Sequence, residues 1–184
     1  MKEIELKILG INPAEITKKL AKLGATKNKT VLISETIFDL SKNITSKKGD
    51  LFRIRKVGNI IEITYKYFLG PKNTKFLMAE EIETEVKDFK KIKKIINLLG
   101  FKCLKNRQKK RTSFKLGKVK IEIDKFPEIP AYLEIEGSKK EILTTIKLLG
   151  LENNKTTNKT ATQVLKLYKA NYKIQKFKKQ NNNN

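Results

Sequence analysis

Apolar and polar positions along the chain fall into two periods. Where the spacing is helical, capping signals bracket it. Asn12-Pro13-Ala14-Glu15 offers a cap, a proline for the first turn and an acid three residues on. Ile16, Leu20 and Leu23 follow, and Gly24 ends the run. Asp88 opens a second helix, with Phe89, Ile92, Ile96 and Leu99 on one stripe and Gly100 at its end. Ser138-Lys139-Lys140-Glu141 reads as a capping box for a third, with Ile142, Ile146 and Leu149 before Gly150. A fourth is predicted over 159–172, with Val164, Leu165 and Tyr168 as its buried side.

Between these helices apolar and charged residues alternate, the period of strands with one buried face. MKEIELKI sets Glu3, Glu5 and Lys7 against Ile4, Leu6 and Ile8; LFRIRK sets Arg53 and Arg55 against Phe52 and Ile54. IIEITYKY sets Glu62, Thr64 and Lys66 against Ile61, Ile63 and Tyr65; EEIETEV puts Glu81, Glu83 and Glu85 on one face. NRQKKRTSF carries Arg107, Lys109 and Arg111 together. KVKIEIDKF carries Lys118, Lys120, Glu122 and Asp124, and AYLEIEG carries Glu134 and Glu136. An E-x-E strand followed by a helix ending in Leu-Gly recurs three times, at Glu3/Glu5, Glu81/Glu83 and Glu134/Glu136. Capped helices among such strands predict an α+β fold on an antiparallel sheet.

Composition narrows the chemistry. In 184 residues there are 42 Lys and Arg against 19 Asp and Glu, a formal net charge of +23. Such a field attracts polyanions, although the abundance of Lys, Asn and Ile also matches AT-rich codons. There is no histidine, which excludes imidazole acid/base chemistry and His-ligated zinc. Cys103 is alone, so disulfides and cysteine metal clusters are excluded, and FKCL reads as a core position. The N-terminus reads as a strand and not a signal peptide. No apolar run approaches the roughly 20 residues of a membrane span. The expected setting is cytoplasmic. One domain is expected over 1–173, with 174–184 a basic, Asn-rich disordered tail.

A sheet with one wet face would alternate in this way without any function. The charges, however, segregate by strand, with acidic pairs on three strands and basic pairs on two others. Sequestered on a concave face, they must be paired, hydrated or bound to a ligand. A triphosphate with a divalent metal would satisfy both sets, since phosphate favours Arg and Lys and the metal favours carboxylates. GxxxxGK[ST] does not occur, which disfavours a P-loop enzyme.

The ordered set of E-x-E-x-K (Glu3, Glu5, Lys7), ETIFD at 35–39, LFRIRK, ITYK, EEIETEV and KNRQKKRTSFKLGKVKIEIDKFPEIPAYLEIEG resembles the CYTH superfamily, the triphosphate tunnel metalloenzymes. The closest resemblance is to its class IV adenylate cyclase-like and thiamine triphosphatase-like members. It implies a closed antiparallel barrel of eight strands, a charged tunnel with helices packed outside. Carried over, it makes Glu3, Glu5, Glu134 and Glu136 the metal-site and catalytic carboxylates, for Mg²⁺ or Mn²⁺. Lys7, Arg53, Arg55, Lys66, Arg107 and Arg111 would hold the triphosphate, with Lys66 also catalytic. Glu81, Glu83, Glu122 and Asp124 would complete the acidic lining; Lys109 and Lys120 share the inward parity. Two departures stand out. Ala79 occupies a position where relatives have Arg, with Lys75 as the residue that could compensate. Tyr67-Phe68-Leu69 separates Lys66 from Gly70-Pro71, where relatives run T-Y-K-G-P, which implies a longer loop.

The implied activity is a metal-dependent triphosphate phosphohydrolase acting on tripolyphosphate, thiamine triphosphate or a nucleoside triphosphate. One alternative is a class IV adenylate cyclase that makes cyclic AMP from ATP. Another is a non-catalytic polyphosphate- or RNA-binding module, to which lysines and aromatics at 166–179 would add nonspecific polyanion affinity. Glutamate clusters argue against that last reading, because they repel phosphate unless a metal intervenes. The resemblance also allows a homodimer and implies no membrane partner.

Overall fold

Eight strands pair edge to edge until the last meets the first. The computed structural model describes residues 2–40, 49–69 and 74–178. The ring is formed by β1 (Lys2–Leu9), β3 (Val31–Leu40), β4 (Leu51–Val57), β5 (Ile60–Leu69), β6 (Leu77–Glu85), β7 (Phe101–Leu116), β8 (Val119–Lys125) and β9 (Tyr132–Glu136). Their order is β1-β6-β5-β4-β3-β7-β8-β9, every pair is antiparallel, and β9 returns to β1 with Glu5 opposite Glu136 and Lys7 opposite Glu134. The closed eight-stranded barrel implied by the resemblance is therefore the architecture. Two hairpins are set by glycine: Gly58 (φ 60°) and Gly117 (φ 57°) adopt the left-handed conformation that two-residue turns demand.

The apolar core lies outside the barrel. Outward side chains of β1, β8 and β9 (Leu6, Ile8, Ile121, Leu133, Ile135) pack under α1 (Pro13–Lys22) and α3 (Lys139–Leu148), through Ile16, Leu20, Ile142 and Ile146. The helix α2 (Phe89–Leu98) seats Ile96 on Phe38 and Ile54, and α4 (Ala161–Leu167) seats Val164 and Leu165 on Phe126 and Tyr132. Side chains alternate across a strand, so burying the apolar face outward turns the charged face inward. The expected caps are present: Asn12, Asp88 and Ser138 each accept backbone N–H groups, and Ser138 with Glu141 forms the capping box.

Four expectations are corrected. The fourth helix is shorter than 159–172, because Thr160 caps it and Lys169 turns to φ 54°, and Tyr168 is exposed. Leu99 fits the α2 stripe by spacing but falls at the C-cap, where the chain turns away, and is 67% exposed. Cys103 is exposed and not a core residue. The β3–β7 register runs from Lys105 opposite Ile37 to Cys103 opposite Phe38, so Leu104 is an extra residue and the bulge turns Cys103 outward.

Just past 173 the chain adds one more short strand. β8 covers β7 only from Lys110 onward, which leaves an open edge that β11 (Ile174–Gln175) fills, parallel at Asn106 and Arg107, with Gln175 fully buried. The remaining expected tail, 179–184, lies outside the described residues, as does Gly70-Pro71; Tyr67, Phe68 and Leu69 lengthen β5. The short β2 (Thr26–Lys27) and β10 (Thr156–Thr157) pair with β7 and β1.

Candidate active site

The antiparallel β1–β9 pair brings acids from the two ends of the ring together. Glu3, Glu5 and Glu136 each present a carboxylate oxygen, and these oxygens lie within 4.8 Å of one another. Glu134, one inward position along, turns instead to Lys7 (3.0 Å) and Arg111 (3.2 Å). Lys66 reaches across from β5 to Glu3, to Glu81 at 3.0 Å and to Glu5 at 3.7 Å; Lys7 also pairs with Glu5.

A cationic wall faces these acids. Arg107 is held by Glu35 (2.6 and 2.8 Å) and donates to Thr162 of α4 at 2.9 Å. Arg55 pairs with Glu62 and Glu83. Arg111 donates to both oxygens of Asp124 (2.6 and 2.7 Å) and pairs with Glu122. Lys109 takes the same Asp124 oxygen at 2.7 Å, and Tyr132 donates to it at 3.2 Å. Lys120 is half exposed and sits at the rim against Glu136 at 2.9 Å. Arg53 is poorly satisfied: Glu35 and Glu81 approach only to 3.7 Å, and its Nε is buried with no hydrogen-bond partner among the described residues. A buried guanidinium N–H without an acceptor is costly, so an anion supplied from outside would be bound strongly here.

These groups enclose a cavity of about 330 Å³ whose lining includes ten Lys and Arg side chains and six carboxylates. The electrostatics follow from that confinement. Burial would discharge Lys7, but Glu134 and Glu5 reverse this and hold its ammonium above the usual range. Burial would likewise raise Glu35, yet Arg107 and Arg53 pull it down to about 2. Burial raises Glu3, helped by Glu5 and Glu81 and opposed by Lys66. Three crowded carboxylates, one of them raised by burial and by its acidic neighbours, could hold a hard divalent cation, which prefers oxygen ligands.

Of the residues expected at the site, Glu3, Glu5, Lys7, Arg53, Arg55, Lys66, Glu81, Arg107, Lys109, Arg111, Lys120 and Glu134 line the cavity. Glu136 stands in the acidic cluster. Glu83 stays with Arg55 and Thr64, while Glu122 and Asp124 lie beneath Arg111 as its counter-ions. Ala79 is buried on β6, and Lys75 is exposed. Sequence reasoning missed Glu35, Lys105, Asp50, Phe68 and the contribution of α4 through Thr162 and Lys166. Glu35 was in view within ETIFD, but a single acid between Ile33 and Ile37 gives no parity signal.

A curated relative, the "Putative adenylate cyclase" of Methanocaldococcus jannaschii, is 29% identical over 150 residues, 81% of this chain and 84% of that one. A solved protein of Pyrococcus horikoshii OT3 is 30% identical, with a TM-score of 0.73 over 86% of this chain and 96% of its own. At 17% identity the likeness is of fold alone: a "putative adenylyl cyclase" of Hippeastrum with a dominant triphosphatase activity superposes with a TM-score of 0.66 over 90% and 95% of the two chains. A family model, "CYTH domain", matches residues 1–174, in accord with the barrel and its charged interior, and the chain belongs to the CYTH domain family.

Proposed function

We propose that the protein is a divalent-metal-dependent triphosphate phosphohydrolase, with Mg²⁺ or Mn²⁺ held by Glu3, Glu5 and Glu136. The observation that carries this reading is the convergence of those carboxylates beside a cavity whose buried cations include the unsatisfied Arg53. The metal's chemistry there is charge neutralisation at phosphate oxygens and activation of water. The chain's own residues do the rest. Arg53 offers an unspent N–H, while Lys66, Lys7 and Arg111 can exchange carboxylate partners for phosphate oxygens without leaving the cavity. Glu134, held between Lys7 and Arg111, fixes both cations at the acidic end. In hydrolysis water attacks the terminal phosphorus, the bridging P–O bond breaks and the diphosphate part leaves.

The name of the Methanocaldococcus jannaschii relative favours a second reading, in which the 3′-hydroxyl of ATP attacks the α-phosphorus and pyrophosphate leaves. The triphosphatase activity of the Hippeastrum protein shows that this fold accommodates hydrolysis. One assay separates them: Mg²⁺ or Mn²⁺ with tripolyphosphate, thiamine triphosphate and ATP, following phosphate and cyclic AMP with an EDTA control. Phosphate without cyclic AMP, abolished by EDTA, is expected. Cyclic AMP with pyrophosphate makes the protein a cyclase, and EDTA-insensitive binding without product removes the metal site.

Lys105 gives this site a pH limb. Burial and the neighbouring Arg107 lower its ammonium to about 8, so it is charged below that pH and neutral above it. A cation lost from the cavity weakens polyphosphate binding, so KM should rise about fivefold from pH 7 to pH 9. Lys105→Met should flatten that rise by starting from the higher KM. An unchanged profile in the variant would remove Lys105 from the binding set.

A further inference from the structure

The helix α2 carries more apolar surface than its packing uses. Ile96 is buried on Phe38 and Ile54, and Phe89, Ile92 and Phe101 pack around it. Leu98, two residues past Ile96, faces the opposite way and is 77% exposed; Ile95 and Leu99 are 52% and 67% exposed. Lys91, Lys94, Ile95 and Leu98 stand three and four residues apart and share that outer face. The charge around them is one-sided. Residues 85–102 hold six lysines, at 87, 90, 91, 93, 94 and 102, against Glu85 and Asp88. Asp88 is already engaged as the helix cap, where it accepts from the Lys91 backbone N–H at 3.0 Å. None of these lysines lines the cavity, so the triphosphate reading leaves them unused.

We propose that the outer face of α2 docks on an anionic lipid surface. Ile95, Leu98 and Leu99 enter the boundary between headgroups and acyl chains, and the lysines meet lipid phosphates. Aliphatic side chains rimmed by lysine suit such an interface, because apolar burial and attraction to the headgroups act together. Lysine contributes to both, since its methylene stem lies on the apolar layer while its ammonium reaches the phosphates. A nucleic acid is matched less well. Residues 87–102 include no arginine, and their two aromatics, Phe89 and Phe101, pack inward against the barrel. A second copy of the chain would set lysines against lysines with two acids to offset them. The field of a +23 protein draws it towards any anionic surface, and the apolar trio decides which side makes contact. Docking of this kind is peripheral and reversible; no described helix is long and apolar enough to cross a bilayer. It departs from the expectation of no membrane partner and is independent of the chemistry proposed for the cavity.

The test uses vesicles of phosphatidylcholine alone and with about a third phosphatidylserine. Sedimentation measures the bound fraction of wild type, Leu98→Gln/Leu99→Gln and Lys91→Gln/Lys94→Gln, and urea midpoints check that these exposed changes leave the fold intact. Wild type should bind the anionic vesicles at least about tenfold more tightly than the neutral ones. Each double variant should bind the anionic vesicles about tenfold more weakly than wild type. A fluorophore sensitive to its surroundings then reports which face makes contact. It is attached at Leu98→Cys or, as a control on the exposed side of α1, at Lys18→Cys, each in a Cys103→Ser chain. On anionic vesicles the signal at 98 should shift to that of an apolar setting, and the signal at 18 should not. Undiminished binding by either double variant, or equal shifts at 98 and 18, would mean that net charge alone holds the protein, and overturns the proposal. Failure to bind either vesicle does the same. A shift at 98 that grows with protein concentration in the absence of lipid overturns it in favour of a second copy as the occupant.

Discussion

Glu136→Gln should lower metal-dependent turnover by about a hundredfold or more while the protein remains folded. Glutamine keeps the size of the side chain and one carbonyl acceptor but removes the negative charge. Glu136 is one of three carboxylates within 4.8 Å of one another, so its loss weakens the donor set directly. Its structural partner is the half-exposed Lys120, so little fold energy depends on it. The metal concentration for half-maximal rate should rise, and excess Mg²⁺ or Mn²⁺ should recover part of the activity. That titration separates a lost ligand from a lost fold. A soluble Glu136→Gln protein with wild-type rate at low metal would show that the three acids are not a metal site.

Asp124→Ala should have the largest effect on stability, about 3–5 kcal/mol, read as a shift in the urea midpoint. Asp124 is fully buried and accepts from Arg111, Lys109 and Tyr132. Its removal strips the buried Lys109 of its carboxylate partner and leaves Arg111 to Glu122 and Glu134, which costs more than the pair itself contributes. Burial would raise the Asp124 carboxyl, but Arg111 and Lys109 hold it below its usual value. Because the folded state favours the charged form, this stability is present above the unfolded carboxyl pKa and is lost as pH falls through the lower folded value. The wild type should therefore soften in acid, and the variant should show a flatter acid limb. Identical urea midpoints at pH 7 would mean that the charged layer under Arg111 adds nothing to the fold.

Strand parity was legible because the outward face must be apolar to pack under helices, so alternate residues within 2–8, 53–57, 60–66, 119–125 and 132–136 declared their side. Segregation of acids and bases by strand was legible for the same reason. Pairing between strands was not. Glu35 meets Arg107, directly opposite on β7, and Arg53 on the other neighbour β4, only once strand order and register are set, and nothing in ETIFD announces that. Cys103 and Leu99 failed for local reasons, a bulge in one case and a helix end in the other, each of which breaks the period on which the reading relied. The strand at 174–175 was missed because its partner is an open stretch of β7, left uncovered where β8 ends opposite Lys110.

Closure of the ring also dictates when the protein can first work. β1 leaves the ribosome before its partners β6, β9 and β10, which are all encoded later. Until residue 136 has emerged, Glu3 and Glu5 have no third acid beside them, and the joining contacts are among the longest-range in the chain. Such contacts form late and slowly. If the three acids hold the proposed metal, its affinity is a clock for the final folding event: a refolding chain should acquire tight Mg²⁺ or Mn²⁺ binding only with its last kinetic phase, after helix signals have already saturated.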